Sequence, residues 1–182
     1  MKAEPIILIG PIGAGKTTIG KLLAEKLSIP FYSLDEEEKQ YTIPLGYSDK
    51  QYDLIKEQKG PFPAYEYARE FFDEALIRFL DAHDDGVFDL GGGHPVVPDA
   101  QKQQRINSAL KPYANIILLM PAEDLDESLA ILRKRNEITG EIPDFNTLYF
   151  KDRTFWDLAK FVVYTEGKTP EETSAEVLEK LQ

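Results

Sequence analysis

A glycine-rich stretch near the start of the chain has the residue types and spacing of a phosphate-binding loop. It reads Gly10-Pro11-Ile12-Gly13-Ala14-Gly15-Lys16-Thr17 and matches the pattern G-x-x-x-x-G-K-[ST] at every fixed position. Glycines allow the backbone to fold around a phosphate with its N–H groups pointing inward. The pattern predicts that Lys16 reaches the β- and γ-phosphates of a nucleotide and that the Thr17 hydroxyl ligates Mg²⁺.

The segments on either side of this loop are those that it requires. Ile6 to Ile9 form a short run of branched apolar residues, which is typical of a strand buried on both faces. From about Lys16 to Leu27, apolar residues recur at helical spacing, so a helix is predicted to begin at the loop. Its N-terminus would add a positive dipole end. The order strand, loop, helix therefore supports nucleotide binding.

Strand and helix patterns alternate along the rest of the chain, which predicts an α/β fold with a parallel sheet and right-handed crossovers. Four further strands are predicted, at residues 31–34, 87–90, 116–120 and 161–164. Helices are predicted around residues 71–80, 125–132 and 177–181. Two segments rich in glycine and proline, residues 43–65 and 136–147, are predicted to be irregular. We interpret them as parts of a substrate-binding insertion at about 35–65 and a lid at about 136–150.

Length, charge and composition limit the class of protein. The 182 residues suffice for one domain with a substantial core, so we expect a single domain over residues 1–182. The formal charge of −11 disfavours general binding to nucleic acid or to a membrane surface. The absence of cysteine excludes disulfides and thiolate chemistry. No signal peptide or membrane span is recognisable near the N-terminus, and we expect a cytoplasmic monomer.

The phosphate loop alone does not identify the phosphate acceptor, because water, a protein or a metabolite can each receive the γ-phosphate. A chain of this size with two irregular segments suits a small kinase that closes over its substrate. Motor and switch proteins usually carry a larger domain or further nucleotide-sensing elements. Size and architecture therefore favour a kinase whose partners are ATP and a small-molecule hydroxyl acceptor.

Two further motifs each follow a predicted strand. Asp35 comes directly after residues 31–34, and Gly91-Gly92-Gly93 comes directly after residues 87–90. Together with the phosphate loop, they make the sequence resemble the shikimate kinase family, most clearly across residues 5–135. The resemblance implies a three-layer P-loop NTPase fold with a five-stranded sheet in the order 2-3-1-4-5 and a lid. It also implies transfer of the ATP γ-phosphate, with Mg²⁺, to a hydroxyl of shikimate.

The resemblance further implies roles for individual residues. ATP would be bound by the loop residues Gly13, Ala14, Gly15, Lys16, Thr17 and Thr18. Asp35 would contact the acceptor and orient or deprotonate its hydroxyl, and a carboxylate suits this role because it can hold the hydroxyl in line with the γ-phosphate. Arg69 would bind the substrate carboxylate. Gly91, Gly92 and Gly93 would bring bare backbone close to the substrate. Lys16 and Asp35 are thus the predicted catalytic residues.

The predicted magnesium site departs from the family pattern. Ser33 stands where the family usually has a second aspartate that takes part in the Mg²⁺ shell. Asp89 lies inside an otherwise apolar strand, and a buried carboxylate requires a cation or a donor as partner. Since the third strand neighbours the first in this fold, we expect Asp89 to reach the Mg²⁺ held by Thr17.

The arginines of the C-terminal third depart as well. The lid lacks the arginine signature of the family, so Arg133, or alternatively Arg135, is expected to contact ATP. Trp156 stands where the family has a further arginine for the substrate carboxylate. Arg153, one turn earlier, is the candidate to replace it. His94 is interpreted as a loop histidine satisfied by backbone groups, and the acidic run 35–38 as solvated.

These departures leave two alternatives open. One is a kinase of another polyol or nucleoside-like acceptor, such as gluconate, which the tryptophan at position 156 favours. The other is a nucleotide-binding regulatory protein without a small-molecule acceptor, which the missing lid signature and Ser33 favour. A kinase should show ATP turnover that rises sharply with one added acceptor, whereas a regulatory protein should bind nucleotide without any dependence on an acceptor.

Overall fold

The computed structural model describes residues 4–137, 144–151 and 153–181. It contains a five-stranded parallel sheet in the order β2-β3-β1-β4-β5, which confirms the predicted fold class and strand order. The strands are β1 (Ile6–Ile9), β2 (Phe31–Ser33), β3 (Val87–Asp89), β4 (Asn115–Met120) and β5 (Phe161–Tyr164). The described helices are α1 (Lys16–Leu27), α2 (Leu34–Thr42), α3 (Asp49–Lys59), α4 (Pro61–Arg69), α5 (Phe72–Ala82), α6 (Ala100–Leu110), α7 (Leu125–Arg135), α8 (Asn146–Tyr149), α9 (Thr154–Leu158) and α10 (Pro170–Lys180).

The strands send alternate side chains into two helical layers. On one face of the sheet, Ile6 and Leu8 of β1 pack in a core with residues of α1 and α10. On the other face, Ile7 and Ile9 pack with residues of α5 and α6. The parallel register places Ser33 beside Asp89, at the carboxyl ends of β2 and β3. Segments that follow these strands therefore meet at one edge of the sheet, where ligands bind in open α/β folds.

Most of residues 43–65 is helical, so the prediction of a long irregular segment was wrong. A short 3₁₀ turn, Ile43–Leu45, is followed by α3 and α4. Pro61 occupies the first position of α4, where its missing N–H loses no helical hydrogen bond. Gly60, with φ of 93°, ends α3 and redirects the chain into α4. Pro61 therefore begins a helix instead of breaking one.

Two boundaries affect the site directly. Leu34 begins α2 instead of ending β2, so Asp35 lies in the first turn of a helix. In the predicted lid at about 136–150, residues 138–143 lie outside the described residues, while Asn146–Tyr149 forms α8. None of the helices in the described part of the chain combines the length and the apolar character needed to cross a membrane.

Candidate active site

The phosphate loop joins β1 to α1 through tightly turned backbone. Gly13 and Gly15 have φ angles of 86° and 94°, a region that glycine adopts without steric penalty. A Cβ atom at Gly13 would lie 2.6 Å from the side-chain oxygen of Asn136, so this position also requires the absence of a side chain. Both glycines thus suit the turn, and Gly13 also leaves room for Asn136, which follows α7.

Lys16 folds back over the loop and is only 6% exposed. Its Nζ donates hydrogen bonds of 3.0 Å to the carbonyl oxygens of Gly10 and Pro11. Burial lowers the pKa of Lys16, while the carboxylates of Asp89 and Asp35 oppose that shift. A bound phosphate would supply the negative charge that neutral carbonyl groups lack. The Lys16 amine is therefore positioned to replace its hydrogen bonds to carbonyl oxygens with hydrogen bonds to phosphate oxygens.

Thr17 and Asp89 form a pair of oxygen donors beside the loop. The Thr17 hydroxyl donates a 2.6 Å hydrogen bond to Oδ2 of Asp89, and the Gly91 N–H donates to Oδ1 at 3.0 Å. Asp89 is 1% exposed, so its carboxylate is fixed in place. A hydroxyl and a carboxylate are ligands that Mg²⁺ accepts, and the donor set fits that ion. The structure thus brings Asp89 to Thr17, while their role as magnesium ligands stays a prediction.

Asp35 faces the same space from the first turn of α2. Its side chain is 58% exposed to the open cavity, although protein atoms surround the carboxyl on the other sides. The resulting desolvation raises the pKa of Asp35, and His94 and Lys16 oppose this shift. The like charges of Asp89 and Glu38 raise the pKa further. A carboxylate with a raised pKa accepts a proton more readily than an ordinary aspartate does.

These groups share one cavity of about 360 Å³. Of the predicted site residues, eight line it: Gly13, Gly15, Lys16, Thr17, Thr18, Asp35, Asp89 and Gly92. A second cavity of about 230 Å³ adjoins it and shares several loop residues. Ala14 lines this second cavity together with Arg135, Thr165 and Lys168. The structure therefore gathers the predicted phosphate, metal and proton-accepting groups around connected spaces.

The triple glycine contacts protein side chains more than it faces the cavity. A Cβ atom at Gly91 would overlap Asp35, and one at Gly92 would lie 2.6 Å from the Ile12 side chain. A Cβ atom at Gly93 would overlap the Tyr65 hydroxyl. Only Gly92 of the three lines the cavity. The glycines make room for these side chains in the structure, and their contact with a substrate stays a prediction.

Arg69 does not line the cavity. It is 7% exposed and donates hydrogen bonds to the Glu66 carboxylate at 2.7 Å and to the Val96 carbonyl at 2.9 Å. Its guanidinium lies 5.7 Å from the ring centre of Tyr65. The Nε of Arg69 is buried without a hydrogen-bond partner in the described part of the chain. The Nε–H donor of this arginine therefore remains unused.

Two tyrosines from distant parts of the chain meet next to Gly93. The hydroxyl groups of Tyr65 and Tyr149 are 2.5 Å apart. Burial raises the pKa of Tyr65 to about 12 and also raises that of Tyr149, so both stay protonated at neutral pH. No local pattern points to this pair, because 84 residues separate its members.

The three candidate arginines of the C-terminal third lie in different places. Arg135 donates to the Gly13 carbonyl at 3.4 Å and to the Thr165 hydroxyl at 3.2 Å, and it lines both cavities. Arg133 instead pairs with Asp144 at 2.7 Å. Arg153 stacks over the Trp156 ring in a separate cavity of about 390 Å³. The structure therefore brings Arg135, the alternative to Arg133, to the phosphate loop, while Arg133 and the carboxylate candidate Arg153 lie elsewhere.

Two asparagines hold the phosphate loop from outside the motif. The Asn146 side chain accepts from the Ile12 N–H at 2.8 Å and donates to the Ile12 carbonyl at 3.0 Å. Asn136 donates to the same carbonyl at 3.0 Å. Sequence reasoning missed both, because contacts across more than 120 residues leave no local signal.

His94 corrects an expectation. Its ring is not satisfied by backbone groups: Nδ1 lies 3.4 Å from an Asp35 carboxylate oxygen and Nε2 lies 3.2 Å from a Glu38 oxygen. The side chain is 2% exposed. The acidic run 35–38 is thus only partly solvated, since two of its carboxylates face this buried imidazole.

Comparison with known proteins identifies the family of this chain. A family model described as shikimate kinase matches residues 12–182, which is most of the chain. The chain belongs to the shikimate kinase family. A shikimate kinase from Enterococcus faecalis is 30% identical over 195 aligned residues, covering 98% of this chain and 99% of the relative.

Solved structures show the same fold. A shikimate kinase from Acinetobacter baumannii in complex with shikimate matches with a TM-score of 0.65 at 21% identity, over 98% of this chain and 92% of that one. A shikimate kinase from Aquifex aeolicus matches with a TM-score of 0.53 at 25% identity, over 97% and 95% of the two chains. Members of the family therefore share this sheet and its arrangement of helices.

Proposed function

We propose that this protein transfers the γ-phosphate of ATP, with Mg²⁺, to a hydroxyl group of shikimate. The observation that supports the proposal is the sharing of one cavity by Lys16, the Thr17–Asp89 pair and Asp35. A group that binds phosphate, a pair that fits Mg²⁺ and a carboxylate that accepts a proton are the parts that phosphoryl transfer to an alcohol needs.

In the proposed reaction, the acceptor oxygen forms a bond to the γ-phosphorus while the bond from that phosphorus to the β–γ bridging oxygen breaks. ADP leaves with that oxygen. Asp35 orients the acceptor hydroxyl and takes its proton, which then passes to solvent. Lys16 places its positive charge next to the phosphoryl group in transfer, where negative charge is spread over three oxygens.

The remaining groups bind the nucleotide. Mg²⁺, when held by Thr17 and Asp89, would neutralise phosphate charge. The backbone of residues 13–15 and the N-terminus of α1 would hold the phosphates. The second cavity, with Arg135, Thr165 and Lys168 on its wall, would receive the rest of the nucleotide.

One observation favours a second candidate, a kinase of another polyol. Arg69 and Arg153, the two residues expected to bind the substrate carboxylate, do not line the cavity that Asp35 faces. An acceptor without a carboxylate would not need them. The two candidates share the donor side of the site and differ only in the acceptor.

A coupled ADP-release assay with Mg-ATP separates these functions. It is run without acceptor, with millimolar shikimate and with millimolar gluconate. Strong stimulation by shikimate alone is the expected result. Stimulation by gluconate alone would replace shikimate by another polyol. Verified ATP binding with no response to either compound would contradict the proposal and favour a regulatory protein or a different acceptor.

A further inference from the structure

The imidazole of His94 is a buried polar group that the proposed reaction does not use. It follows the triple glycine, is 2% exposed and packs on the Phe72 ring with the ring centres 4.2 Å apart. Neither ring nitrogen has a well-aligned hydrogen-bond partner among the described residues. Burying an unsatisfied polar group is costly, so its retention here calls for a specific partner or role.

The two nitrogens point to two carboxylates of α2. Nδ1 faces Asp35 at 3.4 Å and Nε2 faces Glu38 at 3.2 Å. Residues three apart lie on the same side of a helix, so the imidazole can reach both carboxylates at once. One ligand atom from each of Asp35, Glu38 and His94 lies within 4.8 Å of the other two, a spacing that would also suit a metal ion. One nitrogen for each carboxylate is instead the arrangement of an imidazole that bridges them.

We propose that His94 is a positioning residue. Its imidazole holds the Asp35 carboxylate on α2 in the orientation that reaches the acceptor hydroxyl. The proposal rests on the function proposed above. Glu38 holds the far side of the ring, and Phe72 fixes its plane. The imidazole thereby restricts the direction in which Asp35 presents its free oxygen to the cavity. Contacts of this kind are often long in a free enzyme and shorten when substrate binds.

The charges around Asp35 are consistent with this role. Burial raises the pKa of Asp35, and Asp89 and Glu38 act in the same direction. His94 and Lys16 lower it. A carboxylate that must accept a proton has to be ionised first, so a neighbour that lowers the pKa of Asp35, as His94 does, helps to keep Asp35 competent.

His83 provides a matched control within the same chain. It also faces an acidic residue of α2, with its Nε2 3.0 Å from a Glu37 carboxylate oxygen. Its ring stacks on Tyr32 at 3.7 Å, and it does not line the cavity. Both histidines are partly or fully buried against the same helix, but only His94 contacts Asp35.

The first test is independent of any acceptor. The side-chain carboxyl ¹³C resonance of Asp35 is followed by NMR in a pH titration of the wild type, His94→Gln, Glu38→Gln and His83→Gln. In His94→Gln, we expect Asp35 to titrate at higher pH than in the wild type. We expect Glu38→Gln, which keeps the imidazole, to change the Asp35 resonance, and His83→Gln to leave it in place. An Asp35 resonance that is unchanged in folded His94→Gln would overturn the proposal.

The second test is kinetic. We expect His94→Gln to lower kcat about tenfold, which is less than the ~100-fold minimum for loss of a general base, with the KM for ATP unchanged. His94→Phe, which keeps the ring but has no donor, should lose more, and His83→Gln should lose less than twofold. Adding Glu38→Gln to His94→Gln should lower kcat little further, because the ring that Glu38 holds in place is then absent. A smaller loss in His94→Phe than in His94→Gln would mean that His94 contributes packing alone and would overturn the proposal.

The two tests separate the proposals. If the wild type shows no turnover with shikimate, the proposed function fails, and the NMR titration still decides whether His94 governs Asp35. If turnover is normal but the pH titration of the Asp35 resonance is unchanged in His94→Gln, the positioning role is wrong while the proposed function stands. Uptake of one Co²⁺ per chain that is lost in His94→Gln would assign the three side chains to a metal and would also overturn it.

Discussion

The two sides of the cavity are built in different ways. The phosphate side consists of residues 10–18 and Asp89 and is open to the cavity. Its polar groups form hydrogen bonds within the loop and to the neighbouring strand β3. The side proposed to receive the acceptor, near Tyr65, Arg69 and residues 91–93, is filled by protein side chains. The donor half is thus ready to bind a ligand, whereas an acceptor has to compete with contacts that the protein already makes.

The largest effect is expected at the centre of the phosphate side. Lys16→Met removes the charge next to the phosphoryl group, and we expect kcat to fall about 1,000-fold. Lys21→Met is the control, because Lys21 is on the same helix with its side chain 59% exposed and away from the loop. Steady-state ADP release measures both. A loss of kcat of less than tenfold in Lys16→Met would mean that the charge of Lys16 does not stabilise the phosphoryl group in transfer.

Asp35→Asn tests the link between the two sides. The amide keeps the shape of the side chain but cannot accept the proton, so we expect kcat to fall about 100-fold or more. The affinity for ATP, measured by calorimetry, should stay nearly unchanged. Glu36→Gln, at the neighbouring exposed position, should leave both quantities as they are. A large loss of ATP affinity in Asp35→Asn would show that this carboxylate serves the nucleotide instead.

Asp89→Asn tests the metal pair. Removing one carboxylate oxygen charge beside Thr17 should raise the Mg²⁺ concentration for half-maximal activity about tenfold, with a smaller effect at saturating Mg²⁺. Ser33→Ala, at the register partner in β2, is the control and should change this concentration little. Identical Mg²⁺ dependence in the wild type and Asp89→Asn would remove Asp89 from the metal site.

Arg135 and Arg133 distinguish a residue at the cavity from one outside it. Arg135→Ala removes a cation that lines both cavities, and we expect the KM for ATP to rise about tenfold. Arg133→Ala only breaks an ion pair with Asp144, and its KM should change less than twofold. The reverse ranking of the two variants would restore Arg133 as the nucleotide contact.

The same difference between the sides explains what the sequence could predict. The phosphate loop is a local motif and the strands are short apolar runs, so both could be predicted, whereas the strand order followed from the resemblance to the family. Which arginine at the end of α7 faces the cavity could not be predicted. Arg133 and Arg135 are two residues apart on this helix and therefore face different directions. The tyrosine pair at 65 and 149 and the burial of Arg69 depend on contacts between distant elements.

The smallest effect concerns the stability cost of Asp35. Because its pKa is raised in the folded protein, folding favours the protonated form, and this contribution is lost as the pH rises through the folded-state pKa. At neutral pH the ionised carboxylate therefore lowers the free energy of unfolding. Asp35→Asn should raise Tm at neutral pH by about 2 °C or less, although it abolishes most turnover. Below the ordinary pKa of aspartate the difference in Tm should vanish. A lower Tm for Asp35→Asn at neutral pH would mean that the contacts of this carboxylate outweigh its burial.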